Sequence, residues 1–286
     1  SVAHVRFMKW LKENVGKMKI TEMSAEQLLS KITEIKDPVT NMTVGEMISN
    51  LKATVQNAKM NVVVSLANGD IDQMLACLYQ DNAQGVMQGA EALANILGAE
   101  KIVLILPESL QEQETEKNFS CHANDKKECP TEILYGMCSR MVYTTDLLVH
   151  PITCVKCFEA LKDEDVHKTI ISVNGQAPQE VEYGTTLDQI IPEAKAVRIG
   201  NRIWGAEVRT QRLDESFPIE NGVIETYSDQ ECVVKKAEEF VGKLREKCCG
   251  KCVFCREGLA QIHEGLKDLT DGKAKLTDID LMKELA

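Results

Sequence analysis

Cys249-Gly-Lys-Cys252-Val-Phe-Cys255-Arg-Glu-Gly258 places three thiols at i, i+3 and i+6, directly before a helix-like segment. From a turn and the first residues of a helix, all three can face one centre, which is the ligand spacing of an iron–sulfur cluster. Thiolates are soft ligands that favour iron–sulfur or zinc, so the metal class follows from the residue type. Lys251, Arg256 and the positive end of the following helix would offset the charge of a multi-thiolate site. Cys249, Cys252 and Cys255 are therefore the candidate ligands. The competing reading is a set of reduced cysteines that happens to precede a helix.

Cys154-x-x-Cys157 is half of a possible second site, which Cys121, Cys129 or Cys138 would complete. C-x-x-C is a zinc or redox pattern, but no second C-x-x-C stands at zinc-finger spacing. Cys121-His122 and Cys129-Pro130 fall in a polar stretch of the kind that holds ligands. Isolated cysteines more often behave as small buried hydrophobes, and Cys77, between Leu75 and Leu78, is expected to do so. Methionines at helical spacing (Met42, Met47; Met137, Met141) read as core filler. Ser139 and Ser216 have no base near them in sequence, so no nucleophile constellation stands out. The acidic stretches Glu112–Glu116 and Glu238-Glu239 read as solvated surface. Arg198, Arg202, Arg209 and Arg212 could meet an acidic partner or guard strand edges.

The chain has 286 residues, enough for two or three modest domains. A net charge of −11 argues against nucleic acid or an anionic membrane surface as partner. No apolar run approaches a membrane span, and Ser1–Lys9 lacks an apolar signal core, so a soluble cytoplasmic protein is expected, without membrane insertion. Eleven cysteines, an odd count with C-x-x-C spacings, fit metal ligands in a reducing compartment better than a disulfide framework. The same load would suit anaerobic metabolism.

The elements that must position these groups follow from pattern. Val2 to Asn57 is helical in character. Ser24-Ala-Glu-Gln27 is a capping box opening an amphipathic stretch that Asp37-Pro38 ends, and a further helix runs from Thr43 to Val55. Asn61–Leu66 is a β-branched strand leading to the turn Asn68-Gly69-Asp70. Asp81–Leu97 is a helix capped by Gly98, and Ile102–Leu106 is a second buried strand. Strand, helix, strand at this length is a βαβ unit with a parallel sheet. From Gln111 to Asp163 the signal weakens to loops and short apolar pieces. From Lys168 the period becomes two. Thr169–Val173, the turn Asn174-Gly175, Val181–Tyr183, a helical Thr186–Ile191, and strands at 196–200 and 222–225 describe a small β-grasp module. Val233–Lys247, Arg256–Leu269 and Asp278–Leu285 are helical.

The run Lys168-Thr-Ile-Ile-Ser-Val-Asn-Gly175, Tyr183-Gly-Thr-Thr-Leu187, Gly222-Val-Ile, Cys232-Val-Val, Phe240 and the cysteine turn resembles the C-terminal half of the NADH-binding flavoprotein (51 kDa-type) subunit of respiratory complex I. Related subunits occur in NAD-reducing hydrogenases, formate dehydrogenases and electron-bifurcating enzymes. The resemblance implies a soluble-ligand-binding β-grasp (SLBB-like) module followed by a helical domain holding a [4Fe–4S] cluster. It covers about the last 120 residues, and more weakly Met60–Val64 and Ala90–Pro107. A cubane needs four ligands. In the family the fourth cysteine lies in a later helix, past the position of Ala286. Here it could otherwise be Cys248, Cys232, His263 or a partner's thiol. Cys248 ranks low because it adjoins Cys249, and His263, two turns beyond Cys255, reads as an ordinary histidine.

Other stretches depart from the resemblance. The family's FMN phosphate sits in a glycine-rich loop, where bare backbone N–H groups can close on it. The corresponding Lys36–Gly45 holds one glycine and two valines. The acidic turn after the first strand is reduced to Ala67-Asn-Gly-Asp70. The paired asparagines that help hold FMN appear as Lys156 and Cys157. Neither FMN nor NAD is therefore expected to bind.

The expected fold is α/β plus α, in four stretches. A reduced Rossmann-like domain spans 1–117, a connecting segment 118–165, the β-grasp (SLBB-like) module 166–228 and a helical [4Fe–4S]-binding domain 229–286. The expected function is an iron–sulfur electron-transfer subunit of a multisubunit oxidoreductase. Its partners would be flavoprotein, ferredoxin-like or thioredoxin-like iron–sulfur subunits, and it would have no catalytic residues of its own. The alternative is an active NAD(P)H:acceptor flavoprotein subunit that binds FMN through an unconventional loop.

Overall fold

The structure is a computed structural model that describes residues 23–55, 59–66, 72–107, 110, 119–123, 146–217, 219–250 and 252–285, with backbone alone for 119–123. The expected turn at 68–70, the N-terminal residues before 23, and Cys129 and Cys138 lie outside the described residues.

Two short helices open this part of the chain. Helix α1 (Ala25–Ile32) starts at the expected capping box: Ser24 Oγ accepts the Gln27 N–H at 3.2 Å, and Gln27 Oε1 accepts the Ser24 N–H at 2.9 Å. Helix α2 (Val44–Thr54) repeats the device with Thr43 and Glu46. These boxes satisfy backbone donors that the first turn leaves without partners. Met47 is buried in the core and Met42 packs against it, the filler role expected of both.

Strands β1 (Asn61–Ser65), β2 (Lys101–Leu106), β3 (Phe119–Ala123) and β4 (Asp146–Val149) form an all-parallel sheet in the order β3-β2-β1-β4. Helix α3 (Met74–Leu97) joins β1 to β2, ends on Gly98 in the left-handed conformation (φ +62°), and packs against α4 (Pro151–Leu161). It begins seven residues before the expected start. Its helical geometry breaks at Asn82 (φ −129°), close to where the apolar pattern begins to read as a helix. A parallel βα layer buries both faces of its strands, and Val62, Val63, Val64 and Ile102–Leu106 are accordingly all buried.

The stretch 118–165 is not a mere connection. It supplies β3, β4 and α4 to this first layer, so the α/β unit runs on to about residue 161. Both strands are short and are stabilised by pairing, β3 with β2 and β4 with the sequence-distant β1.

The second sheet has its own core of Ile171, Leu187, Val197, Leu213 and Ile224. Strands β5 (Lys168–Val173), β6 (Gln179–Glu182), β7 (Ala196–Ile199), β8 (Arg202–Gly205) and β9 (Val223–Tyr227) lie in the order β6-β5-β9-β7-β8, with β5 and β9 parallel and the other pairs antiparallel. The expected hairpin turn is present, with Asn174 (φ +51°) and Gly175 (φ +72°) both left-handed. The segment 186–191 is a single 3₁₀ turn at Leu187–Gln189 rather than a full helix.

Helices α5 (Val233–Lys247), α6 (Val253–Thr270) and α7 (Leu276–Leu285) complete the described chain. The helices meet at glycines: a Cβ on Gly242 would stand 3.2 Å from His263 Nε2, and one on Gly265 would stand 2.6 Å from Met282 Sδ. Glu238, expected as solvated surface, is buried on α5, where it accepts from Lys235 and, at 3.4 Å, from Thr270 Oγ1.

Arg198 is not a strand-edge charge. It is 1% exposed and donates to Asp72 (3.0 Å), Glu225 (3.1 Å) and the Gly200 carbonyl (2.7 Å), with its guanidinium 4.3 Å from the centre of the Phe240 ring. Asp72 precedes α3, Glu225 is on β9 and Phe240 is on α5, so one side chain ties the sheet layers and the helical end together. Two carboxylates and a ring face offset the cost of burying this cation. Among the described residues no helix is long and apolar enough to cross a membrane.

Candidate metal centre

The thiol-rich turn is built by the end of α5 and the start of α6. At Cys248 the chain leaves the helix in an extended conformation (φ −62°, ψ 130°). Gly250 then takes φ +76°, a left-handed geometry that costs glycine least. Cys252 is the residue before α6 and offers no side-chain cap, so the first N–H groups of α6 point outward without a protein partner from that residue. Cys255 lies in the first helical turn. The turn thus sets the positive end of α6 beside a group of cysteines.

The Sγ atoms of Cys248 and Cys255 stand 3.4 Å apart, and the Gly250 N–H points at Cys248 Sγ, also at 3.4 Å. The Cys255 thiol is pushed up to about 11, first by its contact with Cys248, then by partial desolvation and by the nearby thiols of Cys248, Cys249 and Cys252. Cys255 therefore feels the other three thiols. A bound metal would favour its thiolate, because the metal's charge offsets theirs. All four are free, with Cys252 and Cys255 exposed and Cys248 and Cys249 half-buried.

Arg256 braces the turn instead of facing the sulfurs. Its Nη1 donates to the Gly250 carbonyl at 3.0 Å and its Nε to Glu257 at 2.8 Å. Lys251 lies outside the described residues. Among the described residues no three His, Cys, Asp or Glu side chains converge tightly enough to hold a single ion. A spread set of soft thiols at a helix start suits a multi-iron cluster, whose irons keep their ligands apart, better than one zinc ion.

Two alternatives for a fourth ligand are removed by distance. Cys232 precedes α5, so the helix holds it roughly 22 Å from Cys248. His263 lies eight residues beyond Cys255 on α6, about 12 Å along the axis. It packs against Gly242 and approaches Glu238 at 3.9 Å, and so acts as a helix–helix contact. Cys248, set aside on sequence grounds because it adjoins Cys249, is the thiol in contact with Cys255.

The second cysteine pair has the opposite surroundings. Cys154 and Cys157 are both fully buried in the α3–α4 packing. A Cβ on Gly89 would come within 1.9 Å of the Cys154 carbonyl oxygen, so backbone meets backbone at this crossing. Burial pushes the Cys157 thiol up to about 12 and the Cys154 thiol well above its usual range. Protonated, buried thiols are packing groups. Cys121 lies on β3, paired with Leu104 of β2. Cys77, expected to be buried, is exposed: Met74, Leu75, Leu78 and Tyr79 form the inward face of α3, and Cys77 falls on the other side. Ser216 donates to Asp214 at 2.6 Å in an exposed turn.

A crevice of about 440 Å³ opens outside the carboxyl ends of β1 and β4, lined by Asp37, Thr40, Ser65, His150, Asn201 and Glu220 among others. Strand order reverses between these two strands, which is where open α/β sheets bind ligands. Among the described residues no Lys or Arg lines it. Asp37 Oδ1 accepts the N–H groups of Val39 (3.0 Å) and Thr40 (2.9 Å), and its Oδ2 accepts Thr153 Oγ1 (2.9 Å) and the His150 N–H (3.3 Å). The chain's own carboxylate thus fills the anion-binding concavity of this loop. Sequence reasoning found the loop but not its occupant, two of whose partners, His150 and Thr153, lie more than a hundred residues away.

Residues 235–286 match the family model for the NADH-ubiquinone oxidoreductase-F iron-sulfur binding region. Among curated proteins, the chain is 26% identical over 132 residues to the F subunit of the NADH-quinone oxidoreductase of Streptomyces coelicolor, covering 40% of this chain and 29% of that protein. It is 28% identical over 127 residues to the HndC subunit of the NADP-reducing hydrogenase of Solidesulfovibrio fructosivorans, covering 37% of this chain and 26% of that one. The chain thus spans less than a third of these relatives. Its fold is similar to that of a chain of an NAD+-reducing [NiFe]-hydrogenase in the H2-reduced state, with a TM-score of 0.73 at 13% identity, covering 97% of this chain and 60% of the other.

Proposed function

We propose that this chain, whose residues 235–286 match an oxidoreductase-F iron–sulfur binding region, is an electron-transfer subunit of a multisubunit cytoplasmic oxidoreductase that carries one [4Fe–4S] cluster and no flavin or nicotinamide of its own. The observation that carries the reading is the group of thiols around Cys255 at the start of α6, with Cys249, Cys252 and Cys255 as ligands. When bound, the cluster supplies a one-electron carrier. The protein's part is to hold and tune it. The thiolates bind iron, the Gly250 N–H and the open N-terminus of α6 favour the negative charge of the cage, and Arg256 fixes the turn through the Gly250 carbonyl.

Two features support the absence of FMN. The crevice at the sheet's switch point has no cation among its described lining residues, and the loop amides that could take a phosphate already serve Asp37. At the positions of the family's asparagines, Lys156 meets the Tyr183 hydroxyl and its amine is lowered to about 8 by burial, while Cys157 is in the core. The second sheet, with its hairpin, 3₁₀ turn and later strands, is read as the β-grasp, SLBB-like module. Its role is to join the layers through Arg198. Phe254, between two of the thiols and 93% exposed, gives the site an apolar rim for a partner subunit to cover. The competing reading, an active flavoprotein subunit, draws on the crevice itself, which lies where such a sheet would receive a ligand.

Iron, sulfide and flavin analysis of the anaerobically purified protein with its partners separates the two readings. Iron and sulfide without flavin is the expected result, and stoichiometric flavin would reject the flavin-free reading. Cys252→Ser should remove the roughly 400 nm iron–thiolate absorption and loosen α6, because metal binding is coupled to folding. A Cys252→Ser protein that stays brown with full iron removes the cluster assignment.

A further inference from the structure

We infer that the crevice at the carboxyl ends of β1 and β4 binds a small organic amine, with the ammonium group at Glu220 and the apolar body against Val39, Leu75 and Leu148. The inference rests on the flavin-free reading, because a bound flavin would take the same place.

Three observations carry it. First, the crevice has exposed apolar walls. Among the described residues before α5, Val39 (62% exposed) and Leu148 (58% exposed) are the only large apolar side chains that stand exposed, and both line this crevice. Leu148 lies on edge strand β4, where its neighbours Leu147 and Val149 are buried on the other face of the sheet. Exposed apolar side chains gathered at a cavity mouth mark a surface that a ligand covers.

Second, the charged groups of the lining attract a cation. Glu220 Oε2 accepts the Asn201 N–H at 2.8 Å, and Gly200 leaves room for this, since a Cβ there would collide with the carboxylate. Glu220 Oε1 stands 3.9 Å from Arg202 Nε, beyond hydrogen-bond reach, and the Arg202 side chain is 64% exposed, so water screens that pair. One carboxylate oxygen thus keeps its lone pairs for an incoming N–H, of which an ammonium group offers several. Asp37 adds a second negative charge, and its hydrogen-bond partners are backbone N–H groups and hydroxyls. Those donors occupy it, so it acts on the ligand through its field. His150 brings no positive charge at neutral pH, because burial lowers it to about 4 against the raising effect of Asp37.

Third, the crevice lies between the two sheets. Ser65, Val149 and His150 come from the first layer, and Asn201, Glu220 and Asn221 from turns of the second. Junctions of this kind hold small-molecule sites, and about 440 Å³ is within their size range.

The test titrates the full chain, purified anaerobically, with n-pentylamine, n-pentanol and n-pentanoate at neutral pH and one ionic strength. Nuclear magnetic resonance follows the backbone amides of Ser65, Asn201 and Asn221. n-Pentylamine should move these amides saturably and bind about tenfold or more tighter than n-pentanol, the increment of one charge-assisted hydrogen bond, and n-pentanoate should not bind. Glu220→Gln keeps an acceptor for the Asn201 N–H. It should weaken n-pentylamine about tenfold and leave n-pentanol unchanged. Glu180→Gln, on edge strand β6, should match the wild type.

If n-pentanol or n-pentanoate binds as tightly as n-pentylamine, or if none of the three binds, the amine assignment fails and the flavin-free reading stands. This ligand series needs no variant, so it decides the matter even where Glu220→Gln does not fold. Unchanged n-pentylamine binding by folded Glu220→Gln overturns the placement of the ammonium group. If stoichiometric FMN moves the same amides, the flavin-free reading falls and this inference falls with it.

Discussion

Residues 154–157 and 249–252 contain the same Cys-x-x-Cys interval, yet the molecule uses them in opposite ways. The first pair lies inside α4, with the Cys154 backbone against Gly89 and both thiols held protonated by burial. The second lies in an exposed turn between two helices, with further thiols on either side and an uncapped helix start facing them. Spacing sets which sulfurs can share a direction. Solvent access, backbone donors and neighbouring thiols decide whether that direction leads to a metal or to a methyl group.

Reagent access gives the widest contrast between the two regions. In the metal-free native chain, iodoacetamide should modify Cys252 first among the four tail thiols, and Cys255 more slowly because its thiol is pushed up to about 11. Cys154 and Cys157 can react only through opening of the α3–α4 core, so their rates should be lower by about a thousandfold or more. Peptide mass spectrometry over a time course measures both. Labelling of the buried pair within tenfold of the tail thiols would erase the distinction drawn here.

Gly89→Ala attacks one region and leaves the other alone. A methyl group 1.9 Å from the Cys154 carbonyl oxygen cannot be absorbed by a side-chain rotation, so the helices must separate. The expected loss is about 3 kcal/mol or more in chemical denaturation followed through the first layer. Iron uptake by the tail should be unchanged per folded chain. A variant within about 0.5 kcal/mol of the wild type would show that α3 and α4 do not depend on this close approach.

How much of this was readable in advance varies with the range of the forces involved. Strands β1 and β2 and the helix between them were legible because a β-branched run and a helical apolar stripe each declare themselves locally. The hairpin at Asn174-Gly175, all three tail helices and the thiol spacing were legible for the same reason. Strands β3 and β4 were not. Each has five residues or fewer, and each exists because a neighbouring strand offers a parallel edge. Strand β8 hid behind the turn at Gly200-Asn201. Arg198 looked like a surface charge because its partners, Asp72 and Glu225, are remote in sequence.

Acid offers the smallest and most selective way to separate the regions. His150 is the residue before α4, the helix that carries the buried pair, and its Nδ1 accepts the Ile152 N–H at 3.2 Å. An accepting Nδ1 must be unprotonated, and burial lowers this histidine to about 4, against the raising effect of Asp37. The unfolded chain takes up the proton near pH 6.5 and the folded chain only near pH 4. Stability from this group is therefore fully present above about 6.5 and is lost as the pH falls toward 4, by up to about 3 kcal/mol. Denaturation midpoints of the first layer should decline across that window. His150→Asn, which can accept the same N–H, should flatten the decline. Over the same interval the alkylation rates of Cys154 and Cys157 should rise relative to those of the tail thiols, since opening of α4 becomes cheaper while the tail gains nothing from it. An identical pH slope in wild type and His150→Asn would move the acid sensitivity elsewhere and leave the start of α4 with no part in guarding the buried pair.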